Sequence, residues 1–142
     1  MPSINFFNED ITFKLKNKIG LKKWIKSAIE AEGYTLQELN YIFCSDQYLL
    51  QINQQYLDHD TYTDIITFDN SDKYKVISGD IFISIERIRE NAIKFNSGEE
   101  NELHRVIIHG ALHLLGYQDK KAGNKKIMTQ KEDYYLSVRN FT

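Results

Sequence analysis

The sequence predicts an α+β fold, in which one small mixed sheet of about four strands carries helices mainly on one face. Two observations support this prediction. Strand-like and helix-like segments alternate in part of this short chain and are grouped by type in another part, without the regular alternation of a parallel α/β protein. The length of 142 residues, 42% of them hydrophobic and 27% charged, suits a single packed domain over residues 1–142.

The N-terminal part is predicted to form a strand followed by a helix. The apolar segment Ile4–Phe7 reads as the first strand, and Ile11–Leu15 either extends that strand or pairs with it. Apolar side chains then recur at helical spacing from Asn17 to Glu32, with lysines on the opposite side. This pattern predicts an amphipathic helix that closes near Gly33.

The middle of the chain is predicted to supply three strands and one short helix. Leu39–Cys44 is a strand, after which Ser45 offers a capping oxygen to a helix over Gln47–Asn53. Two further strands follow at Asp64–Phe68 and Val76–Ile83. A polar segment separates the last two strands, so we expect them to be neighbours in the sheet.

The C-terminal part is predicted to be helical. Ser84 can cap a helix over Ile85–Phe95, and a long helix then runs from about Glu99 to Leu115, where Gly116 stops it. Its many apolar side chains make this helix the central buried one. A final helix is expected within Ala122–Asn140.

Composition excludes several functional classes. The 18 basic and 20 acidic residues give a formal charge of −2, which excludes a polybasic nucleic-acid binder and leaves only a local basic face for such contacts. The single cysteine, Cys44, cannot form an internal disulfide, which fits a reducing compartment. No apolar run reaches the roughly 20 residues of a membrane helix, and the first residues lack a secretory pattern, so a cytoplasmic location is expected.

The most specific feature is a pair of histidines on the central helix. His109 and His113 are four residues apart, which places their imidazoles about 40° apart around the helix and one turn displaced. Both can therefore reach one metal ion. The alternative is two unrelated histidines, one hydrogen-bonded in the core and one at the surface, and the pair alone does not decide.

A third ligand would distinguish these readings, because catalytic zinc sites typically use three protein groups. Asp119 follows the glycine that ends the helix, so the chain can turn it back towards the pair. Its alternative role is that of a solvated loop carboxylate beside Lys120. His104 lies about 140° from His109 around the helix and is expected to face solvent or another element.

The segment His109-Gly-Ala-Leu-His-Leu-Leu-Gly-Tyr-Gln-Asp119 resembles the signature H-G-x-L-H-L-x-G-Y-D-H of the bacterial YbeY-type endoribonucleases. Further matches, in the family's order and spacing, make the similarity extend over about residues 40–136. These matches are Ile52-Asn53, Thr63–Phe68, Gly79–Ile81, Met128 and Glu132.

The resemblance implies a metal-dependent endoribonuclease with one zinc ion, held by His109, His113 and Asp119 as catalytic metal ligands. It further implies single-stranded RNA as substrate, with small-subunit ribosomal RNA and the small ribosomal subunit as partners in rRNA maturation and quality control. No membrane or DNA partner is expected. A bound divalent ion can polarise a phosphodiester oxygen and lower the pKa of its water, although the 2′-hydroxyl of RNA is an alternative nucleophile.

Two departures from the family pattern affect this expectation. Asp119 stands where the family has its third zinc histidine, and the added negative charge could admit manganese or nickel in place of zinc. Leu57 stands where the family has an arginine. His59, Lys120 and Lys121 are the candidate replacements for that cation, each with the alternative of an ordinary surface residue.

Substrate contacts are expected from Asn53, His59, Thr63, Asp64 and Lys120, which lie in or near the matching segments. The structural alternative is that Asp64 caps a turn and that Thr63 only favours a strand. A lysine-rich stretch between Lys14 and Lys26 could form an RNA groove with Trp24, or it could be a solvated helix face with Trp24 in the core.

Two other functions remain open from the residues. Paired histidines on a helix also mark the H-E-x-x-H metalloproteases, but Gly110 occupies the position of their catalytic glutamate. Glycine there suggests close packing of the helix instead. A metal-stabilised ribosome-assembly factor that binds RNA without cutting it is the non-enzymatic alternative.

Overall fold

The computed structural model describes residues 2–58 and 62–141 of the chain. Four strands and five helices are found within these residues. In chain order they are β1 (Ser3–Glu9), α1 (Lys18–Ala31), β2 (Thr35–Cys44), α2 (Asp46–Leu57), β3 (Ile65–Asp69), β4 (Val76–Ser84), α3 (Ile85–Lys94), α4 (Glu99–Leu114) and α5 (Ala122–Ser137).

The strands form one mixed sheet in the order β1-β2-β4-β3. β2 pairs in parallel with both β1 and β4, whereas β3 pairs antiparallel with β4. The predicted α+β class and the predicted pairing of the last two strands are therefore confirmed.

Most helices cover one face of this sheet. Alternate residues of β2, such as Leu39, Tyr41 and Phe43, enter a core that also contains side chains of α1, α3, α4 and α5. A smaller cluster around Leu49 and Ile66 lies under α2 on the opposite face. This arrangement confirms the prediction of helices packed mainly on one side.

The predicted helix starts at Ser45 and Ser84 are confirmed by capping hydrogen bonds. Ser45 Oγ accepts from the Tyr48 amide at 3.0 Å, and Ser84 Oγ accepts from the Arg87 amide at 3.1 Å. Each bond satisfies one amide that the first helical turn leaves unpaired.

Helix α4 lies directly on the sheet because Gly110 has no side chain. A Cβ at Gly110 would stand 2.8 Å from Ile65 Cδ1 and 2.9 Å from Ile81 Cγ2. The Tyr41 hydroxyl also donates to the Ile107 carbonyl at 2.9 Å. The close packing expected at Gly110 is confirmed, and it fixes the position of the neighbouring His109 beside β3.

Two strand predictions differ from the structure. Ile11–Leu15 is not a strand, because Asp10 adopts a left-handed conformation (φ 58°) that turns the chain out of β1. β2 starts at Thr35 instead of Leu39, since an irregularity between Leu36 and Glu38 interrupts the alternation on which a sequence prediction depends.

Trp24 belongs to the core and is only 5% exposed. Its indole N–H donates to the Tyr135 carbonyl at 2.8 Å. The lysine groove with Trp24 as a stacking surface is therefore wrong, and the alternative of a solvated helix face with a core tryptophan is confirmed. Among the described helices, none has the length and apolar character needed to cross a membrane.

Candidate metal centre

Three side chains converge at the C-terminal end of α4. The rings of His109 and His113 have their centroids 4.5 Å apart. The Nε2 atoms of the two rings stand 3.2 Å and 3.3 Å from the same oxygen, Asp119 Oδ2. The sequence prediction that Asp119 turns back towards the pair is thus matched by the geometry.

The turn after α4 places Asp119. Gly116 adopts φ 101°, and its amide donates to the His113 carbonyl at 3.0 Å, while the Tyr117 amide donates to the Leu112 carbonyl at 3.1 Å. These two bonds form a Schellman motif, which reverses the chain at a left-handed glycine. The reversal returns the carboxylate to the histidine side of the helix.

Each histidine is oriented through its other ring nitrogen. His113 Nδ1 lies 2.9 Å from the Tyr117 carbonyl, and His109 Nδ1 lies 2.5 Å from Glu132 Oε2 on α5. A carbonyl oxygen can only accept, so His113 Nδ1 carries the proton and its Nε2 presents a lone pair. Metal-bound histidines are typically held in this way.

The donor set fits a divalent cation. When both imidazoles are neutral, their Nε2 atoms and the carboxylate oxygen are all acceptors, and acceptors 3.2–3.3 Å apart need a cation between them. Ligands at about 2.0–2.2 Å from a tetrahedral ion stand roughly 3.4 Å apart, which agrees with these separations. In the part of the chain that the structure describes, this trio is the group with metal-binding spacing, its ligand atoms all within 4.8 Å of one another.

Glu132 is itself held by a second ion pair. Arg105 Nη1 donates to Glu132 Oε1 at 2.8 Å, and Arg105 Nη2 donates to Asp133 at 2.6 Å. Burial lowers the pKa of His109, but the hydrogen bond and charge of Glu132, together with the charge of Asp119, raise it on balance. The environment of His109 therefore favours positive charge at this position.

Glu32, at the end of α1, anchors the loop that carries Asp119. It accepts from the Tyr117 hydroxyl at 2.6 Å, from Lys131 Nζ at 3.0 Å and from the Tyr135 hydroxyl. Burial raises the pKa of Glu32, but these three hydrogen bonds outweigh it and lower the pKa on balance. This half-buried carboxylate thus ties α1, α5 and the Tyr117 loop together.

A cavity of about 370 Å³ opens beside His109 and Asp119, between α3, α4 and α5. Asp64 and Glu102 also line it. Burial raises the pKa of both carboxyl groups, partly offset at Asp64 by the charge of His109 and at Glu102 by a hydrogen bond from Ser97. The cavity is large enough for a small-molecule ligand or part of a polymer.

His104 does not belong to the metal centre. It is buried between the rings of Trp24 and Phe141, and Arg139 Nη1 lies 2.8 Å from its Nδ1. Burial, together with the charge of Arg139, lowers the pKa of His104 to about 4. The sequence predicted that His104 faces either solvent or another structural element. The second expectation is confirmed, and the first is wrong.

The residues predicted to contact substrate are dispersed. Asp64 lines the cavity with His109 and Asp119, whereas Asn53 is buried on α2, on the other face of the sheet. Thr63 contacts the Ile65 carbonyl through its hydroxyl at 3.4 Å, and Lys120 is exposed in the loop after Asp119. His59 lies outside the described residues.

Sequence reasoning missed the supporting roles of Glu32 and Arg105. Arg105 had a detectable signal, because a charged residue four positions before His109 on a largely apolar helix needs a buried partner. Glu132 was marked only by its place in the M-x-x-x-E match. Glu32 had no such signal, since it resembles any acidic residue at a helix end.

Comparisons with known proteins agree over nearly the whole chain. The profile of the family described as Endoribonuclease YbeY matches residues 4–140. A Cytophaga hutchinsonii protein named Endoribonuclease YbeY is 52% identical over 139 residues, which cover 98% of this chain and 97% of that protein. A Flavobacterium psychrophilum protein of the same name is 50% identical over 132 residues, covering 93% of this chain and 94% of that one.

A solved structure shows the same fold. The solution structure of TM1509 from Thermotoga maritima superposes with a TM-score of 0.66 and 29% sequence identity. The match covers 95% of this chain and 87% of that one.

Proposed function

The chain belongs to the YbeY endoribonuclease family, and we propose that it cuts single-stranded RNA at a zinc centre formed by His109, His113 and Asp119. The observation that carries this proposal is the convergence of two imidazole nitrogens on one carboxylate oxygen at 3.2 and 3.3 Å. The family makes the chain an endoribonuclease that processes ribosomal RNA. The zinc ion, the preference for single strands and the residue roles are the proposed part.

A zinc ion at this trio would polarise a phosphodiester oxygen and acidify a nearby water or 2′-hydroxyl. The protein's own contribution is to hold the ligands in place before substrate arrives. Glu132 and the Tyr117 carbonyl fix the two imidazole rings, and the Schellman turn fixes Asp119. Preorganisation of this kind lowers the cost of reaching the transition state.

The third ligand makes manganese or nickel a second possibility for the ion, because a carboxylate is a harder donor than imidazole. We propose small-subunit ribosomal RNA and the small ribosomal subunit as partners, and a cytoplasmic location, on the basis of the family resemblance. Among the predicted contacts, Asp64 has the strongest structural support, since it lines the cavity beside the trio.

Metal content tests the centre. Purified protein is expected to contain close to one zinc or similar ion per chain, measured by elemental mass spectrometry, and His113→Ala is expected to lose it. His104→Gln is the matched control, because it removes a histidine of the same helix that lies outside the centre. Full metal occupancy in His113→Ala would refute the site.

Cleavage tests the activity. Metal-loaded protein and its Asp119→Ala variant are incubated with single-stranded RNA and, separately, with casein. We expect RNA cleavage that Asp119→Ala abolishes, and no casein cleavage. Equal RNA cleavage by both proteins would point to a contaminating nuclease, binding without cleavage would support an assembly factor, and casein cleavage would support a metalloprotease.

A further inference from the structure

Glu102 lines the cavity beside the candidate metal centre and is only 7% exposed. Its Oε1 accepts from Ser97 Oγ at 3.3 Å. Its Oε2 has no hydrogen-bond partner among residues 2–58 and 62–141. Within the same residues no fully buried side-chain oxygen or nitrogen lacks a partner, so Glu102 Oε2 is solvent-accessible, and the accessible space beside Glu102 is this cavity. A buried carboxylate thus points an unused acceptor at the empty space.

The wall of the cavity nearest α3 adds two complementary groups. The Asn91 side chain lines the cavity, and its amide makes no hydrogen bond to any described side chain or backbone group. Phe95 lines the mouth with 61% of its surface exposed. An unpaired amide with an exposed aromatic ring is the combination that proteins use to bind unstacked bases.

The rim carries a cation that no described acidic group neutralises. Lys125, in the first turns of α5, lines the cavity and is exposed. Arg105, in contrast, is already bound to Glu132 and Asp133. A phosphate that enters the cavity would therefore meet Lys125 at the edge, while the interior offers hydrogen-bonding groups.

The distance between Glu102 and the metal centre suits one nucleotide. Glu102 precedes His109 by seven residues on α4, so the two side chains lie on the same side of the helix about 10 Å apart along its axis. A phosphate at the metal centre can then place the base of the adjoining nucleotide at Glu102.

We propose that this cavity is a nucleobase pocket in which Glu102 and Asn91 read the base next to the cleaved phosphate and Phe95 stacks on it. Guanine is the preferred occupant, because its N1–H and N2–H are two adjacent donors that match the two oxygens of a carboxylate. On the same Watson–Crick edge, adenine and cytosine each present only one donor group, the exocyclic amino group. Uracil presents carbonyl oxygens on both sides of its N–H and would meet the Glu102 carboxylate unfavourably. The assignment rests on the proposed function, which supplies RNA as the substrate.

Nucleotide binding tests the pocket without any cleavage. GMP, AMP, CMP and UMP are titrated into the intact 142-residue chain, and dissociation constants are measured by NMR chemical-shift changes. The phosphate is common to all four probes, so differences report on the base. GMP is expected to bind about tenfold more tightly than UMP. Equal affinities for GMP and UMP would overturn the proposal.

Variants assign the preference to individual residues. Glu102→Gln keeps the shape and an acceptor for Ser97, and it is expected to abolish the preference for GMP. Glu100→Gln, an exposed change on the same helix, is the control and should keep the preference. Phe95→Ala should weaken the binding of all four nucleotides alike, whereas Ile93→Ala, an exposed change near the end of α3 and two residues before Phe95, should weaken the binding of none. Retention of the preference in Glu102→Gln would overturn the assignment.

Cleavage mapping separates this inference from the proposed function. On a single-stranded RNA that contains all 16 dinucleotide steps, cuts by the intact protein should be enriched beside guanine, and Glu102→Gln should cut with no such enrichment. If the intact protein does not cut RNA, the proposed function fails, and the GMP titration still decides the pocket. If it cuts and the pattern is unchanged in Glu102→Gln, only the pocket is refuted.

Discussion

The two sides of helix α4 have opposite effects on the pKa of a histidine side chain. On the packed side, His104 is buried against Trp24 and Phe141 with Arg139 at its Nδ1. On the cavity side, His109 is half-buried and faces Glu132 and Asp119. Burial, together with Arg139, lowers the pKa of His104, whereas the carboxylates raise that of His109 despite its burial.

The difference teaches that neighbouring charge, more than residue type, decides which histidine can take part in chemistry. A neutral His104 accepts a hydrogen bond from Arg139 at Nδ1 and stabilises the fold. His109 and His113 instead present lone pairs to a shared acceptor, which suits a cation. Each of the following predictions tests one contact of this helix.

The largest expected effect concerns the pH dependence of stability on the packed side. His104 has a pKa of about 4 in the folded state against an ordinary value of 6.5, so the unfolded chain binds this proton first as the pH falls. Stability that is fully present above pH 6.5 is therefore lost as the pH falls to about 4. The expected loss from this group is about 3 kcal/mol.

Urea unfolding at a series of pH values checks this prediction. His104→Gln can still accept from Arg139 but does not titrate, so its free energy of unfolding should fall less steeply than that of the intact protein between pH 6.5 and 4. Metal content at pH 7 should stay unchanged in this variant. Parallel pH profiles for the two proteins would show that His104 does not carry the effect.

Some features of the two sides of α4 could be predicted from the sequence, and others could not. Apolar periodicity located α4, and the spacing of His109 and His113 placed both imidazoles on one side. The return of Asp119 towards the two histidines was predictable because Gly116 marks the helix end. The role of Glu32 was not, since it depends on a contact with Tyr117 that lies 85 positions along the chain.

The early start of β2 was also unpredictable, for a different physical reason. Three of its first four side chains, Thr35, Gln37 and Glu38, are exposed, and the irregularity after Leu36 shifts the alternation by one residue. A period-two pattern therefore becomes visible only from Leu39 onwards. The prediction of a strand at Ile11–Leu15 failed for the opposite reason. The apolar alternation is present there, but the left-handed conformation of Asp10 separates this segment from the sheet.

An intermediate effect is expected on the cavity side from the residue that orients His109. Glu132→Gln removes the charge and weakens the hydrogen bond to Nδ1, so metal affinity should fall about 10- to 100-fold. Competition with a chelator of known affinity measures this change. Asp133→Asn is the control, because Asp133 binds the same Arg105 and does not touch His109. Equal affinities in the two variants would assign the effect to Arg105 instead of Glu132.

The smallest expected effect comes from the contact between α4 and the sheet. In Gly110→Ala the new Cβ would press on Ile65 and Ile81 at under 3 Å, a strain of about 1–3 kcal/mol that the better helix propensity of alanine offsets by up to about 1 kcal/mol. A net loss of about 1 kcal/mol in the free energy of unfolding is expected from urea titration. Gly123→Ala is the matched control, since a Cβ there meets nothing within 4 Å and only the propensity gain remains. Equal stability of Gly110→Ala and Gly123→Ala would show that the sheet can shift to accommodate the added Cβ. The close contact at Gly110 would then not explain the position of His109.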